Sequence, residues 1–347
     1  MSTPKAYLGI DNQSKQINNI YSTIDNVNHQ VKKGYFGIRN ENIGFYPLVN
    51  PLLGVQWTIR QAAADNTWLS VCYAEDKGLF VAVANAGTHR VMTSPDGIDW
   101  TIRQSAPNRQ WYSVCYGNGL FVAVAYNSSF NGVMASPDGV NWTAGQFPVN
   151  HSWDSVCYGN GLFVATAGTN LDSGVMTSPN GINWTSRQSA SGGGNSVCYG
   201  NGLFVAVRSN RVMTSPNGIN WTARQTPADF GLNSICYAED KGLFVAVGSY
   251  PAPANRVITS PDGINWTLEQ FISGHHWRSV CYGDGIFVAV ARTTTGTSTR
   301  VMTSPDGVNW TIRPTPADNC DFFSVCYGNG RFVAVARDGT HRVMTSP

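Results

Sequence analysis

The most regular feature of the sequence is an alternation of short apolar runs and polar turns that repeats seven times. In the second copy the apolar runs are 113–116, 120–125, 132–136 and 142–146, and we name them A, B, C and D. Each run has the length and the Val, Phe and Tyr content of a β-strand. Asn118-Gly119, between A and B, is a strong hairpin signal because both residues tolerate positive φ. The pattern therefore predicts four antiparallel strands in each copy.

Each copy contains the tetrapeptide Ser-Val/Ile-Cys-Tyr in run A, and successive tetrapeptides are about 40 residues apart. That spacing is the length of a propeller blade built from four strands. We therefore predict an all-β fold, a seven-bladed β-propeller of four-stranded blades. The tetrapeptides begin at Ser70, Ser113, Ser155, Ser196, Ser234, Ser279 and Ser324.

The two ends of the repeat array complement each other. The sequence stops after a C run without a D run, whereas the run from Val55 to Arg60 is a D run with no A, B or C before it. We predict that this run completes the last blade and closes the ring, which removes open sheet edges. The predicted domains are an N-terminal segment over residues 1–50 and the propeller over residues 51–347.

Composition narrows the functional classes. The chain has 23 basic and 21 acidic residues with no run of either sign, so we expect no nucleic-acid partner. No apolar stretch reaches the roughly 20 residues of a membrane span, and no hydrophobic signal segment follows Met1, so we expect synthesis in the cytosol and no membrane insertion. Seven of the eight cysteines share one position of the repeat, which predicts buried, reduced thiols rather than disulfides.

The turn between runs C and D carries the motif Ser-Pro-Asp-Gly-x-Asn-Trp, as at residues 136–142. It resembles the Asp-box of sialidase-type propellers, shortened by one residue. In that family the box is a folding element remote from the active site, so the resemblance implies a structural role here. Asn180 and Asn217 replace the Asp in two copies, and Asn can accept turn hydrogen bonds but cannot supply a carboxylate. The tryptophans that follow these turns, and the one in the unpaired D run, are expected in the core: Trp57, Trp100, Trp142, Trp184, Trp221, Trp266 and Trp310.

The N-terminal segment has a shorter period of 14 residues, with units at Tyr7, Tyr21 and Tyr35. Each unit reads strand, turn, strand, and its apolar face is too small to be stable alone. The segment resembles short Tyr-x-Gly-Val/Ile repeats in tail-associated proteins of bacteriophages and prophages of Gram-positive bacteria. The resemblance implies a virion protein that binds other tail or virion proteins through residues 1–50 and is found in the virion or outside the cell after lysis. The alternative is a linker or a partly ordered tail.

The copies differ from one another mainly in the loops before run A and between runs B and C. Both sets of loops belong to one face of the predicted disc, and residues before the innermost strand A should surround the mouth of the central channel. Aromatic rings mixed with short polar groups suit sugars. The alternative is that the tryptophans pack between blades. The candidate ligand-binding residues are Trp68, Trp111, Tyr112, Trp153, Asp154, Asn195, Asn233, Trp277, Arg278, Phe322 and Phe323.

The enzymatic alternative is a sialidase-like glycoside hydrolase, which needs a cluster of arginines and a paired acid and nucleophile. Arginines are available on the variable face, but two of the chain's four glutamates, Glu75 and Glu239, belong to A to B turns on the opposite face. We predict no catalytic residue, no metal site and no cofactor. The favoured hypothesis is a non-catalytic phage tail, receptor-binding or adhesion protein that recognises a bacterial cell-surface carbohydrate. A purely structural or protein-docking propeller is the third hypothesis.

Overall fold

The structure, a computed structural model, divides the chain into two units, Met1–Pro51 and Leu52–Pro347. In the first unit it describes four strands. In the second it describes residues 52–126, 132–149, 151–168, 174–227, 231–249, 257–269, 275–292, 299–316 and 320–347.

The first unit contains two antiparallel hairpins. Strand Ala6–Ile10 pairs with Gln13–Ile17, and Tyr21–Ile24 pairs with Val27–Gln30. The first two 14-residue units therefore each contain the two predicted strands. The third predicted unit, at Tyr35, lies outside the described residues.

The second unit consists of seven antiparallel four-stranded sheets, each with the strand order A, B, C, D. This confirms the predicted all-β, seven-bladed propeller. In order of blades 1 to 7, the A strands are Thr67–Ala74, Gln110–Gly117, Trp153–Gly159, Ser196–Gly200, Leu232–Ala238, His276–Gly283 and Phe322–Gly328. The B strands are Leu79–Ala86, Leu120–Tyr126, Leu162–Ala167, Leu203–Arg208, Leu243–Gly248, Ile286–Arg292 and Arg331–Ala336. The C strands are Val91–Ser94, Val133–Ser136, Val175–Ser178, Arg211–Ser215, Val257–Ser260, Val301–Ser304 and Arg342–Ser346. The D strands are Thr101–Arg103, Thr143–Gly145, Thr185–Arg187, Thr222–Arg224, Thr267–Leu268, Thr311–Arg313 and, for blade 7, Thr58–Gln61.

Helix is almost absent from the described part of the chain. Its one helical element is a short 3-10 helix, Glu75–Lys77, in the A to B turn of blade 1. No helix among the described residues is long and apolar enough to cross a lipid bilayer.

The N-terminal end of the propeller closes the ring, as predicted. Strand Thr58–Gln61 pairs with Arg342–Ser346 and is the fourth strand of blade 7. The predicted run from Val55 to Arg60 begins too early, however. The Val55 N–H donates to the Leu52 carbonyl at 3.0 Å, so the chain turns before strand D begins.

The hydrophobic core lies in layers between neighbouring blades. In one layer, Val81 and Val83 of blade 1 pack against Phe121 and Ala123 of blade 2. The tryptophans at the D strands also pack in these layers, as predicted, and four of them are less than 10 % exposed. The indole N–H of all seven donates to the carbonyl of the glycine three residues earlier, at 2.8–3.1 Å. The indole therefore fixes the turn and contributes to the core at once.

The C to D turns are capped by side chains. In blade 2 the Asp138 carboxylate accepts the N–H groups of Val140 and Asn141 at 2.9 and 2.8 Å. These hydrogen bonds hold the pKa of Asp138 well below its usual range, and the bond from the Asn141 N–H has the largest effect. In blade 3 Asn180 accepts the two corresponding N–H groups at 3.1 and 2.9 Å. An amide oxygen thus caps the turn as a carboxylate does. The role of this position is therefore to stabilise the turn, which does not require a charged side chain.

A ring of serines joins the seven A strands around the centre of the disc. The serine of each Ser-Val/Ile-Cys-Tyr tetrapeptide accepts a backbone N–H from the next blade, at 3.1–3.3 Å. Strand A is innermost, so this N–H has no neighbouring strand to bond, and the serine hydroxyl satisfies it. The donor and acceptor pairs are Val71 with Ser324, Val114 with Ser70, Val156 with Ser113, Val197 with Ser155, Ile235 with Ser196, Val280 with Ser234, and Val325 with Ser279.

Removing one hydroxyl from this ring should weaken the contact between two blades. We expect Ser155→Ala to lower the free energy of unfolding by about 1–3 kcal/mol, because the Val197 N–H is left without its acceptor. Urea unfolding followed by tryptophan fluorescence measures the change. Ser186→Ala, on strand D of blade 3, is the matched control and should change stability little. Equal stability of the two variants would contradict a structural role for the ring.

All eight cysteines are free thiols. The seven repeated cysteines follow the serines by two residues, which places them on the same side of strand A. The sequence predicted that they are buried, but they are half-buried. Burial raises the pKa of each of these seven thiols, including Cys115, well above its ordinary value. They are therefore protonated and poorly nucleophilic at neutral pH.

Candidate functional site

In six of the seven blades a β-bulge at the start of strand A places one residue at the centre of the disc. In blade 2, Trp111 pairs with Ala125 and Ser113 pairs with Val124, so Tyr112 is the extra, unpaired residue. The same shift occurs in five other blades, and in blade 4 Asn195 directly precedes the strand. A bulge bends the strand and re-aims a side chain. We call these seven positions the mouth residues: Leu69, Tyr112, Asp154, Asn195, Asn233, Arg278 and Phe323.

The mouth residues line a central cavity of about 390 Å³. The seven serines of the ring and Arg337, which follows strand B of blade 7, complete its lining. This volume falls in the range of small-molecule binding sites. Six of the predicted candidates thus come together at one cavity: Tyr112, Asp154, Asn195, Asn233, Arg278 and Phe323.

The other five predicted candidates do not reach this cavity. Their side chains are at most 1 % exposed, and they pack in the layers between blades, as Trp111 does with Phe121 and Val83. The prediction that they surround the mouth is wrong, and the alternative that they pack between blades is right. The bulge explains the difference, because it turns the residue before each mouth residue into the core. The five are Trp68, Trp111, Trp153, Trp277 and Phe322.

One half of the mouth, from blades 6, 7, 1 and 2, is aromatic and cationic. The Arg278 guanidinium lies over the Phe323 ring, with Cζ 5.2 Å from the ring centroid, which is a cation–π contact. Tyr112 stacks on Tyr126 with centroids 5.1 Å apart, which fixes the plane of its ring. Leu69 separates these two aromatic groups along the ring of blades. This half offers apolar faces and guanidinium donors.

The other half, from blades 3, 4 and 5, offers acceptors. The Asn195 amide NH₂ donates to the Leu232 carbonyl at 3.2 Å, and the Asn233 NH₂ donates to the Trp277 carbonyl at 2.7 Å. Both amide groups thereby brace the next blade, and their oxygens remain as acceptors. Asp154 adds a carboxylate, which accepts the N–H of Gly168. The mouth is therefore polarised, with donors on one side and acceptors on the other.

Burial raises the pKa of Asp154 to about 6, although the Gly168 N–H and the charge of Arg208 both lower it. The folded pKa exceeds the roughly 3.9 of an unfolded Asp, so the neutral form is favoured in the folded state. The contribution of Asp154 to stability is therefore present below about pH 4 and is lost as the pH rises through about 6.

We expect Asp154→Asn, which cannot ionise and keeps an oxygen for the Gly168 N–H, to become more stable relative to wild type between pH 5 and pH 8. The difference should grow by about 1–2 kcal/mol over this interval. Urea unfolding of both proteins at the two pH values measures it. Parallel pH dependences would show that Asp154 does not titrate in this range.

Asp154 is the one carboxylate among the residues that line the cavity. Nearby, Asp321 is 8 % exposed and forms an ion pair with Arg292 at 3.0 Å. Among the described residues no group of three or more His, Cys, Asp or Glu side chains could hold a metal ion.

No protein-family model and no curated protein sequence matches the chain. Solved structures do match its fold. The chain is similar to a streptogramin B lyase, with a TM-score of 0.70 and 9 % identity over 84 % of this chain and 97 % of that one. It is similar to a catalytically inactive virginiamycin B lyase from Staphylococcus aureus with quinupristin, with a TM-score of 0.68 and 10 % identity over 84 % and 99 %. It is also similar to YCF48 bound to D1 peptide, with a TM-score of 0.60 and 14 % identity over 86 % and 99 %. At these identities the likeness shows a shared propeller fold.

Proposed function

We propose that this chain is a non-catalytic binding protein whose mouth residues bind a cell-surface carbohydrate. The observation that supports this most directly is the contrast between the repeated parts of the blades, which we call the frame, and the mouth residues. The serine ring and the C to D turns are repeated with little change, whereas the mouth residues are of six different types around one cavity. A repeated frame with an unequal mouth suits one asymmetric ligand rather than seven equal contacts.

The chemistry of the mouth suits a sugar. Tyr112 and Phe323 supply ring faces for the C–H face of a pyranose, and the amide oxygens of Asn195 and Asn233 can accept hydroxyl hydrogens. A glycoside hydrolase of the sialidase type would need a second carboxylate beside Asp154, and the lining has none. The structural neighbours include a lyase and a peptide-bound propeller, so the proposal of a non-enzyme rests on the lining itself.

The N-terminal unit completes the proposal. Its two repeated hairpins, with the resemblance to phage tail repeats, support a role in attachment to other tail or virion proteins, with the propeller as the receptor-binding part. The protein would then act in the virion or outside the cell after lysis.

Binding of the full chain to a glycan array tests the site. We expect specific glycans to bind wild type and the control Ile219→Ala, whose exposed side chain follows the C strand of blade 4. The double variant Tyr112→Ala/Phe323→Ala should lose this binding while keeping its thermal transition. Equal binding by all three proteins, or none by wild type, would contradict the proposal, and turnover of a fluorogenic glycoside would contradict the absence of catalysis.

A further inference from the structure

Two guanidinium groups at the mouth, those of Arg278 and Arg337, form no ion pair with the residues that the structure describes. Neither Arg278 nor Arg337 has a side-chain hydrogen bond or ion pair with any of the described residues. The Nε of Arg278 is buried and has no acceptor there. A buried donor without an acceptor is costly, so the site is better satisfied with an acceptor bound.

Among the described residues the carboxylates near these two arginines have other partners, and none is within ion-pair distance of either guanidinium. Arg292 takes up one carboxylate oxygen of Asp321, and an oxygen of Asp338 accepts the Asp321 N–H. The negative charge of Asp321 acts on Arg278, but so do the like charges of Arg292 and Arg337. The aromatic neighbours Phe323 and Tyr112 carry no charge at neutral pH. Asp154 is a mouth residue of blade 3, in the half of the mouth that offers acceptors. An anion is therefore the ligand group that blades 6 and 7 accommodate best.

The shape of the donors favours a planar anion. A guanidinium presents parallel N–H groups that match both oxygens of a carboxylate, and the contact with Phe323 holds the Arg278 guanidinium against the ring. Across the cavity, Asn195 and Asn233 present acceptors to hydroxyl groups. A ligand that carries a carboxylate at one end and hydroxyls at the other satisfies both halves.

We infer that the mouth selects acidic sugars, with the carboxylate of a hexuronate on Arg278 and Arg337 and its hydroxyls on Asn195 and Asn233. This inference rests on the proposed carbohydrate function. It adds that the sugar is negatively charged and that Arg278 and Arg337 bind its carboxylate.

Titration of the full chain with matched oligosaccharides tests the inference. Oligogalacturonate and oligoglucuronate are the acidic probes, and the neutral galactose and glucose oligosaccharides of equal length are their partners. We expect the acidic probe to bind at least about tenfold more tightly than its neutral partner. Arg278→Gln and Arg337→Gln should each abolish this preference. Arg337 is exposed, so its variant keeps the fold even if Arg278→Gln does not.

The matched control is Arg187→Gln, which removes the same charge from outer strand D of blade 3 and should keep the preference. If the preference survives in Arg337→Gln, or if neutral and acidic sugars bind wild type equally, the inference is wrong and the carbohydrate function stands. If sulfated sugars bind as tightly as uronates, selection of the carboxylate is wrong. If no saccharide binds the folded protein, the proposed function itself fails.

Discussion

A chain that begins at Ala62 is expected to lose cooperative folding, whereas a chain that begins at Leu52 keeps it. The ten residues between these two starting points include Leu53 and Trp57, which are 2 % and 7 % exposed, and the fourth strand of blade 7. Burial of each such side chain contributes about 1.5–3 kcal/mol. With the strand pairing, the deletion should remove about 5 kcal/mol or more, which is comparable to the whole stability of many domains.

Circular dichroism during heating and size-exclusion chromatography measure this effect. The chain from Leu52 should show one cooperative transition and elute as a folded protein of its own mass, without aggregates. The chain from Ala62 exposes strand Arg342–Ser346 as an open edge and should aggregate. A cooperative transition at the same temperature in both truncated chains would show that blade 7 does not need its fourth strand.

Trp111→Ala is expected to lower the free energy of unfolding by about 3–5 kcal/mol. The Trp111 side chain is completely buried against Phe121 and Val83, so its removal leaves a large cavity between blades 1 and 2. Urea unfolding of the full chain measures the loss.

The adjacent substitution Tyr112→Ala is the matched control. Tyr112 is the unpaired residue of the bulge and lines the cavity, so its removal should cost much less than that of Trp111. We expect Tyr112→Ala to change ligand binding and Trp111→Ala to change stability. Equal losses of stability would contradict the division between core and mouth at this pair.

The repeat was enough to predict the fold. Each blade carries the same hairpin and turn signals, and the run from Val55 to Arg60 has no other blade to join, so local and global signals agree. The start of the closing strand could not be predicted, because the turn at Leu52 is made by backbone hydrogen bonds that any residue could form.

The candidate site was predicted only in part, because the bulge shifts the inward and outward alternation of strand A by one residue. Simple alternation along strand A puts Trp111 on the same side as Ser113, facing the channel. The bulge at Tyr112 shifts the alternation, so Trp111 turns into the core. The sequence does contain a signal of this shift. The position of Trp111 is large and apolar in six blades, as a core position is, whereas the position of Tyr112 ranges from Leu to Asp and Arg.

The pairing of strand Thr58–Gln61 with Arg342–Ser346 also sets an order of events during translation. Strand D of blade 7 leaves the ribosome before any other part of the propeller, and its partner strand leaves after nearly all of it. Blades 1 to 6 can form one after another while the chain is growing. Strand Thr58–Gln61 stays unpaired throughout, so completion of the disc depends on the translation of Arg342–Ser346.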